Sequence, residues 1–564
     1  MLEAKGQKLF SLRYHIALKL IFSVGAVFIS QLAYAQDAGT QPAKALGGFT
    51  NEIILFLFAF VMLTLLLVLF IGSDRLLRVA KEIVRGREAD GDDVSMVPTK
   101  ASIMGETDSK KTKGFPVIKL KQGFDILIEG RSAKQSGGEI KTTTYAVKPI
   151  DFIGMSPIPK IMVEEGAKVK AGDKLFFDKK HPEIFYTAPV SGELLEVRRG
   201  SKRLIEEVVI KADAEIEFKA FDKADPKKLS KEQVKEQLIE SGLWPYIIQR
   251  PYNIVANPAD TPRNIFISGF DTSPMASNYN YTLAGELDAF QAGIDALTVL
   301  SSGKIYLGLN AKQNQCDTYE QVKGVEKVGF EGKHPAGNVG VQIHHIKPIN
   351  KGEVVWTINP QHVVFIGRLF TQGKYNTQHL IALAGSDVTT PQYYSVYAGA
   401  NVGEIVNGKL NNDHVRFVSG NVLTGTKVEA SGHLSFHHNQ LSVIEEGDKY
   451  EMLGWLIPSY ARPSLSPTFP WRMFPNEEFK VNTNTHGEER AFVVTGQYEE
   501  VLPMDVYPQH LLKAIMARDF EKMEGFGIYE VVEEDFALCE FACTSKVDVQ
   551  EILREGLDYI REQS

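Results

Sequence analysis

The side chains best suited to chemistry in this sequence are histidines that lie beside glycines. His334-Pro335-Ala336-Gly337 runs directly into Asn338-Val339-Gly340. Gly337 and Gly340 would let the backbone come close to a ligand, and His334 would then donate to a carbonyl. The same residues also read as a plain turn whose glycines hold positive φ. Upstream, Gly269, Asp271 and Ser273 fall in SGFDTSPM (268–275), at the end of an apolar run. That is where ligands bind in open α/β sheets. Two pairs, His344-His345 and His437-His438, invite a metal reading. In an extended chain the rings of each pair point to opposite faces and cannot grip one ion. Cys316, Cys539 and Cys543 are the three cysteines, too few for a disulfide scaffold or a four-thiolate cluster. There is no H-E-x-x-H, P-loop or Ser-His-Asp order, and no G-x-G-x-x-G follows the first strand of the α/β region. No catalytic residue and no metal ligand is therefore predicted. The acidic runs at 90–93, 499–500 and 533–535 read as solvated faces.

These residues need elements to position them. Residues 161–177 (IMVEEGAKVKAGDKLFF) and 184–198 (IFYTAPVSGELLEVR) form an internal half-repeat of short strands, with Gly166 and Gly172 at the turns. The pattern resembles the barrel-sandwich hybrid of biotinyl and lipoyl carrier domains, with Lys180 at the tip between the halves. The sequence around Lys180 lacks a carrier context, so the domain reads as structural. A helix is predicted in 227–242, which ends at a glycine. Strand 264–271, helix 283–300 and strand 304–310 make a βαβ unit and a Rossmann-like parallel sheet, with further strands expected at 353–356 and 362–366. Residues 378–446 return to short alternating runs around a small helix. From about Val501 the pattern is helical.

The first hundred residues differ. A basic start, an apolar run (20–32) and Ala33-Tyr34-Ala35 read as a signal peptide cut after Ala35, or as an uncleaved anchor. Ile53–Ile71 is nineteen residues with Thr64 the only polar one, which predicts a transmembrane helix. One Lys or Arg precedes it in 36–52 and five follow in 72–93, so the C-terminal side is expected in the cytoplasm. Residues 88–114 read as a flexible tether. With 62 basic and 70 acidic residues, a net charge of −8 and no long basic block, the chain is a poor candidate for binding nucleic acid.

Several blocks in order make the sequence similar to a known family. They are IKLKQGFDI (118–126), APVSGELLEVRRGSKR (188–203), GFDTSPMA (269–276), HPAGNVGVQIHHI (334–346), VVWTINPQHVVFIGRLF (354–370), LSVIEEG (441–447) and EEDFALCEFAC (533–543). Together they resemble the NqrA family, one of the subunits of the sodium-translocating NADH:quinone reductases, from about Pro116 to the C-terminus. Members of that family normally have no membrane span, so residues 1–115 read as an added signal-and-anchor module.

The resemblance implies an α+β multidomain chain. Its expected parts are a barrel-sandwich hybrid domain (115–215), a linker helix with a Rossmann-like domain (225–375), a β-grasp, SLBB-like domain (376–460), and a C-terminal region (461–564) ending in a helical domain without a cluster. It also implies a respiratory complex coupled to Na⁺ export, with flavins and iron on partner subunits and none bound by this chain. This chain would interact with the quinone, with His334, Gly337 and Gly340 as the pocket loop. The alternative is a pure assembly module with no small-molecule site. Expected partners are the other subunits, the membrane and quinone, on the cytoplasmic side of a bacterial inner membrane.

Overall fold

The structure, a computed structural model, describes residues 114–449, 463–465 and 478–563. All of them belong to one compact unit, Thr107–Ser564. The expected signal peptide and the expected span Ile53–Ile71 lie outside the described residues, as does the tether up to residue 113. Among the described residues, no helix is long and apolar enough to cross a membrane.

The half-repeat folds into two small antiparallel sheets. One orders Thr144–Val147, Ile205–Ala212, Gly192–Arg199 and Lys168–Val169, and the other Lys160–Ile161, Lys174–Asp178 and His181–Thr187. Alternation along the strands buries Leu175, Ile184, Tyr186, Val208 and Ile210 between them. Gly166 and Gly172 both hold positive φ, as the turns require. Lys180 sits in the two-residue turn that follows Asp178, at the hairpin tip that the half-repeat predicts.

The helix Lys231–Ser241 follows, capped by Ser230 and Gln233 and stopped by left-handed Gly242. The seven-stranded sheet orders Val117–Lys119, Glu326–Glu331, Ile305–Asn310, Ile265–Ser268, Val355–Thr357, Ile248–Arg250 and Ile254–Val255. The first five strands are parallel to one another and the last two are antiparallel. From Ile265–Ser268 the chain winds outward through Ile305–Asn310 and Glu326–Glu331, then crosses back to Val355–Thr357 on the other side. The carboxyl ends of Ile265–Ser268 and Val355–Thr357 therefore flank a topological switch point.

Two elements differ from expectation. Residues 362–366, which read as a strand, lie inside the helix Pro360–Gln372, which starts at the Asn359 cap and stops at left-handed Gly373. His362 through Gly367 are all buried, and the continuous apolar run 363–366 within them reads equally as a buried strand. His344-His345, which read as extended, lie in the helix Val339–Ile346, a segment too short for its sequence to separate a helix from a strand.

A six-stranded mixed sheet orders Thr426–Val428, Val415–Ser419, Gln440–Glu445, His379–Ala384, Gln392–Val396 and Ala133–Glu139, with the small helix Val402–Val406 beside it. Two strands that fall within 115–215, the bounds expected for the hybrid domain, thus pair elsewhere: Val117–Lys119 joins the α/β sheet and Ala133–Glu139 joins this one. An alternating run shows which face is buried, not which strand it will pair with. The tail folds as Gln497–Val501, Pro508–Met516, Phe520–Gly525, Glu533–Ala542 and Val549–Gln563 around its own apolar cluster.

Candidate functional site

A cleft of about 450 Å³ opens at the switch point. Its base is the loop after Ile265–Ser268 and the turn after Val355–Thr357, and segments 420–424 and 437–440 of the mixed sheet close one side. Phe152 of the hybrid domain and Glu533, Glu534 and Gln550 of the tail complete it. Ile248, Val255, Phe270, Ile358 and Leu423 are the apolar parts of a lining that also holds Asp151, Arg250, Asp271, Glu533 and Glu534.

The loop that carries His334 is strapped to the end of the first strand. Gly337 donates its N–H to Thr272 Oγ1 at 2.9 Å, Ser268 Oγ donates to Gly337 O at 2.7 Å, and His334 N–H reaches Asp125 Oδ1 at 2.8 Å. His334 Nδ1 lies 3.1 Å from Thr272 Oγ1. The Thr272 hydroxyl accepts from Gly337 and keeps one proton and one lone pair for Nδ1; when it donates that proton, the imidazole hydrogen stands on Nε2. Nε2 is buried and has no partner among the described residues. Burial holds His334 down to about 4, so the ring is neutral at physiological pH.

Of the residues singled out in sequence, His334, Gly337, Asp271 and Ser273 line the cleft, while Gly269 and Gly340 do not. Neither Gly337 nor Gly340 has positive φ. A Cβ on Gly337 would lie 2.6 Å from Thr272 N, and one on Gly340 would lie 2.3 Å from Asp535 Oδ2. Both glycines thus serve close approach by the protein's own groups. Asp271 accepts from Ser273 N–H at 2.7 Å, and burial pushes its carboxyl up.

The acidic run 533–535 is not a solvated face. Arg250, buried at the edge of the sheet, contacts Glu534 at 2.6 Å and fully buried Asp535 at 3.5 Å, and Arg554 meets Glu533 at 3.0 Å. Nor does the segment 437–438 run extended. A turn at Phe436-His437 brings both rings of the pair to the cleft, where burial pushes His437 down to about 3 and His438 to about 4. His344 and His345 face the tail instead. His344 Nδ1 lies 2.7 Å from Glu530, and His345 Nε2 lies 2.7 Å from Pro503 O. Among the described residues, no group of three His, Cys, Asp or Glu side chains is placed to hold a metal ion. Cys539 and Cys543 are buried in the tail's core.

Sequence reasoning misses Arg250, Tyr279, Asn359 and Phe152 in the lining. Asn359-Pro360, a cap followed by a first-turn proline, is the available signal for a helix start there. Neutral polar groups beside apolar patches, as here, suit an uncharged planar ligand with acceptor oxygens.

Family models described as the NqrA N-terminal barrel-sandwich hybrid domain, the NqrA second alpha/beta domain and the NQRA C-terminal domain match residues 118–213, 229–375 and 380–430. The NqrA subunit of the Na(+)-translocating NADH-quinone reductase of Yersinia pseudotuberculosis serotype I (strain IP32953) is 37% identical over 452 residues, covering 79% of this chain and 100% of that protein. Those of Serratia proteamaculans (strain 568) and Vibrio atlanticus (strain LGP32) are 37% and 35% identical over 460 and 452 residues, with the same coverage. A crystal structure of NAD+-reducing [NiFe]-hydrogenase in the air-oxidized state aligns with 54% of this chain and 55% of its own, at 14% identity and a TM-score of 0.29, too distant to carry an argument. On the three domain matches and the full-length relatives, the chain belongs to the NqrA family of Na(+)-translocating NADH-quinone reductase subunits.

Proposed function

We propose that this chain works as the NqrA subunit of a Na⁺-exporting NADH:quinone reductase and that its cleft receives the quinone ring. Flavins and iron would sit on partner subunits. Ile53–Ile71 would hold the body on the cytoplasmic side of a bacterial inner membrane. The single observation that supports the quinone reading is His334 Nε2, a buried ring nitrogen without a partner among the described residues, in a switch-point cleft lined by both apolar and polar side chains. A carbonyl oxygen satisfies it without bringing charge into the site.

The test uses the assembled complex in membranes. A photoreactive quinone should label peptides that contain residues 268–279, 334–339 or 357–362. His334→Ala should raise the quinone KM about tenfold, the worth of one buried hydrogen bond. Labelling confined to other subunits would leave the pure assembly role as the reading.

A further inference from the structure

Tyr279 lines the same cleft from the wall formed by residues 357–360 and 437–440. Its hydroxyl oxygen accepts from Asn359 Nδ2 at 2.9 Å and from Asn439 Nδ2 at 3.1 Å. The Asn359 amide cannot be turned over without loss, because its Oδ1 accepts the helix-start N–H of Gln361 at 3.0 Å. Two amide donors fill both lone pairs of the hydroxyl, so its one remaining capacity is to donate. It makes no other hydrogen bond among the described residues. Tyr279 is 7% exposed, and burial first, then the nearby Asp271 carboxylate, push its hydroxyl well up, so the proton stays on.

His334 is the counterpart. It stands in the loop after Glu326–Glu331, strapped to the loop after Ile265–Ser268 by Thr272 and held by Asp125, and its Nε2 has no partner among the described residues. The His334 loop follows Glu326–Glu331 and Tyr279 opens the short helix Tyr279–Thr282, so the two groups reach the one cleft from different elements. A ligand that satisfies both must carry acceptor oxygens at two positions.

The geometry points to Tyr279 as the second hydrogen-bond donor of the cleft, held in its donor role by Asn359 and Asn439, so that the site selects para-quinones gripped at both carbonyls. This rests on the quinone reading of the cleft. No bond is made or broken by Tyr279 in this role; it orients the ring.

The experiment is Tyr279→Phe in the assembled complex, which removes one oxygen. With a 1,4-benzoquinone the KM should rise about tenfold while the KM for NADH stays unchanged. Infrared difference spectra with carbonyl-¹³C quinone should show two displaced carbonyl bands in the parent complex and one in the variant. If the photoreactive quinone still labels the cleft while both bands and the KM are unchanged, Tyr279 is not the second donor and the quinone reading stands. If the label falls outside the cleft, the quinone reading itself fails and this inference with it. Should the Phe variant not assemble, Asn439→Ala is read in the same way. Loss of a lone-pair partner should weaken the second displaced band, and two intact bands would overturn the assignment.

Discussion

Gly340 and Asp535 meet with no space between them: a Cβ added to Gly340 would fall 2.3 Å from Asp535 Oδ2. The contact joins the helix Val339–Ile346 of the α/β domain to the helix Glu533–Ala542 of the tail, and so fixes the tail against the cleft's edge. Asp535 Oδ2 also accepts the Val532 N–H at 3.1 Å, so the carboxylate cannot swing aside freely. Gly340→Ala should therefore overpack this junction and destabilise the protein by about 1–3 kcal/mol. Thermal denaturation of the parent and variant checks it, and an unchanged Tm would mean that the junction is looser than described.

Arg250 is the cation on which the same junction depends. It is buried beside Glu534 and Asp535, and removing it leaves buried carboxylates without a partner. Arg250→Met should destabilise by about 3–5 kcal/mol, as expected when one member of a buried ion pair is deleted. Adding Asp535→Asn should recover a large part of the loss, because the amide oxygen still accepts from Val532 and the uncompensated charge is gone. A double-mutant cycle by chemical denaturation measures the coupling. Simple additivity would show that the pair is not coupled.

What is legible in the sequence follows from how far each signal reaches along the chain. The helix Lys231–Ser241 announces itself locally through Ser230, Gln233 and Gly242, and the hairpin around Lys180 does so through the half-repeat of short strands on either side of it. Pro360–Gln372 does not, because its short continuous apolar run at 363–366 reads equally as a buried strand. The partners of Val117–Lys119 and Ala133–Glu139 lie some two hundred residues away or more, where no local pattern can name them. The site divides the same way. His334, Gly337, Asp271 and Ser273 stand out because they cluster in two short loops. Arg250 does not, because what makes it notable is Asp535, 285 positions on. The run at 533–535 misleads for the same reason: charge is visible in a sequence, but its neutralising partner is not.

The buried histidines around the cleft set a pH dependence. His334 and His438 are held down to about 4 and His437 to about 3, each by burial, against an ordinary value of 6.5. For such groups the unfolded chain takes up protons first as pH falls. Their stability is complete above about 6.5 and is lost as pH drops from there through 4, by up to about 1.4 kcal/mol per pH unit for each ring. Asp271 and Asp535, raised by burial, act in the opposite sense, losing stability as pH rises through their folded values. His437→Asn removes one histidine and leaves the carboxyls. It should flatten the Tm profile between pH 6.5 and 3 relative to the parent protein. Parallel profiles would mean that His437 is protonated in the fold.

The proposed membrane anchor yields the last test. If Ile53–Ile71 spans the bilayer with its five-cation flank inside, residues 36–52 face the periplasm and everything after residue 72 faces the cytoplasm. An impermeant thiol reagent applied to intact cells should then label Thr40→Cys, and should label Ser102→Cys only after lysis. The parent chain's own background is small, since Cys539 and Cys543 are buried and Cys316 is partly covered. Deleting residues 1–110 should in turn allow assembly while weakening membrane retention. A short linker holds the body at roughly millimolar concentration near its partners, and its loss removes no contact made by the folded body. Salt should strip the truncated protein more readily than the intact one, because polar docking contacts are screened while an inserted helix is not. Labelling of Ser102→Cys in intact cells would reverse the topology and, with it, place the quinone cleft on the wrong side of the membrane for a component of an NADH-oxidising complex.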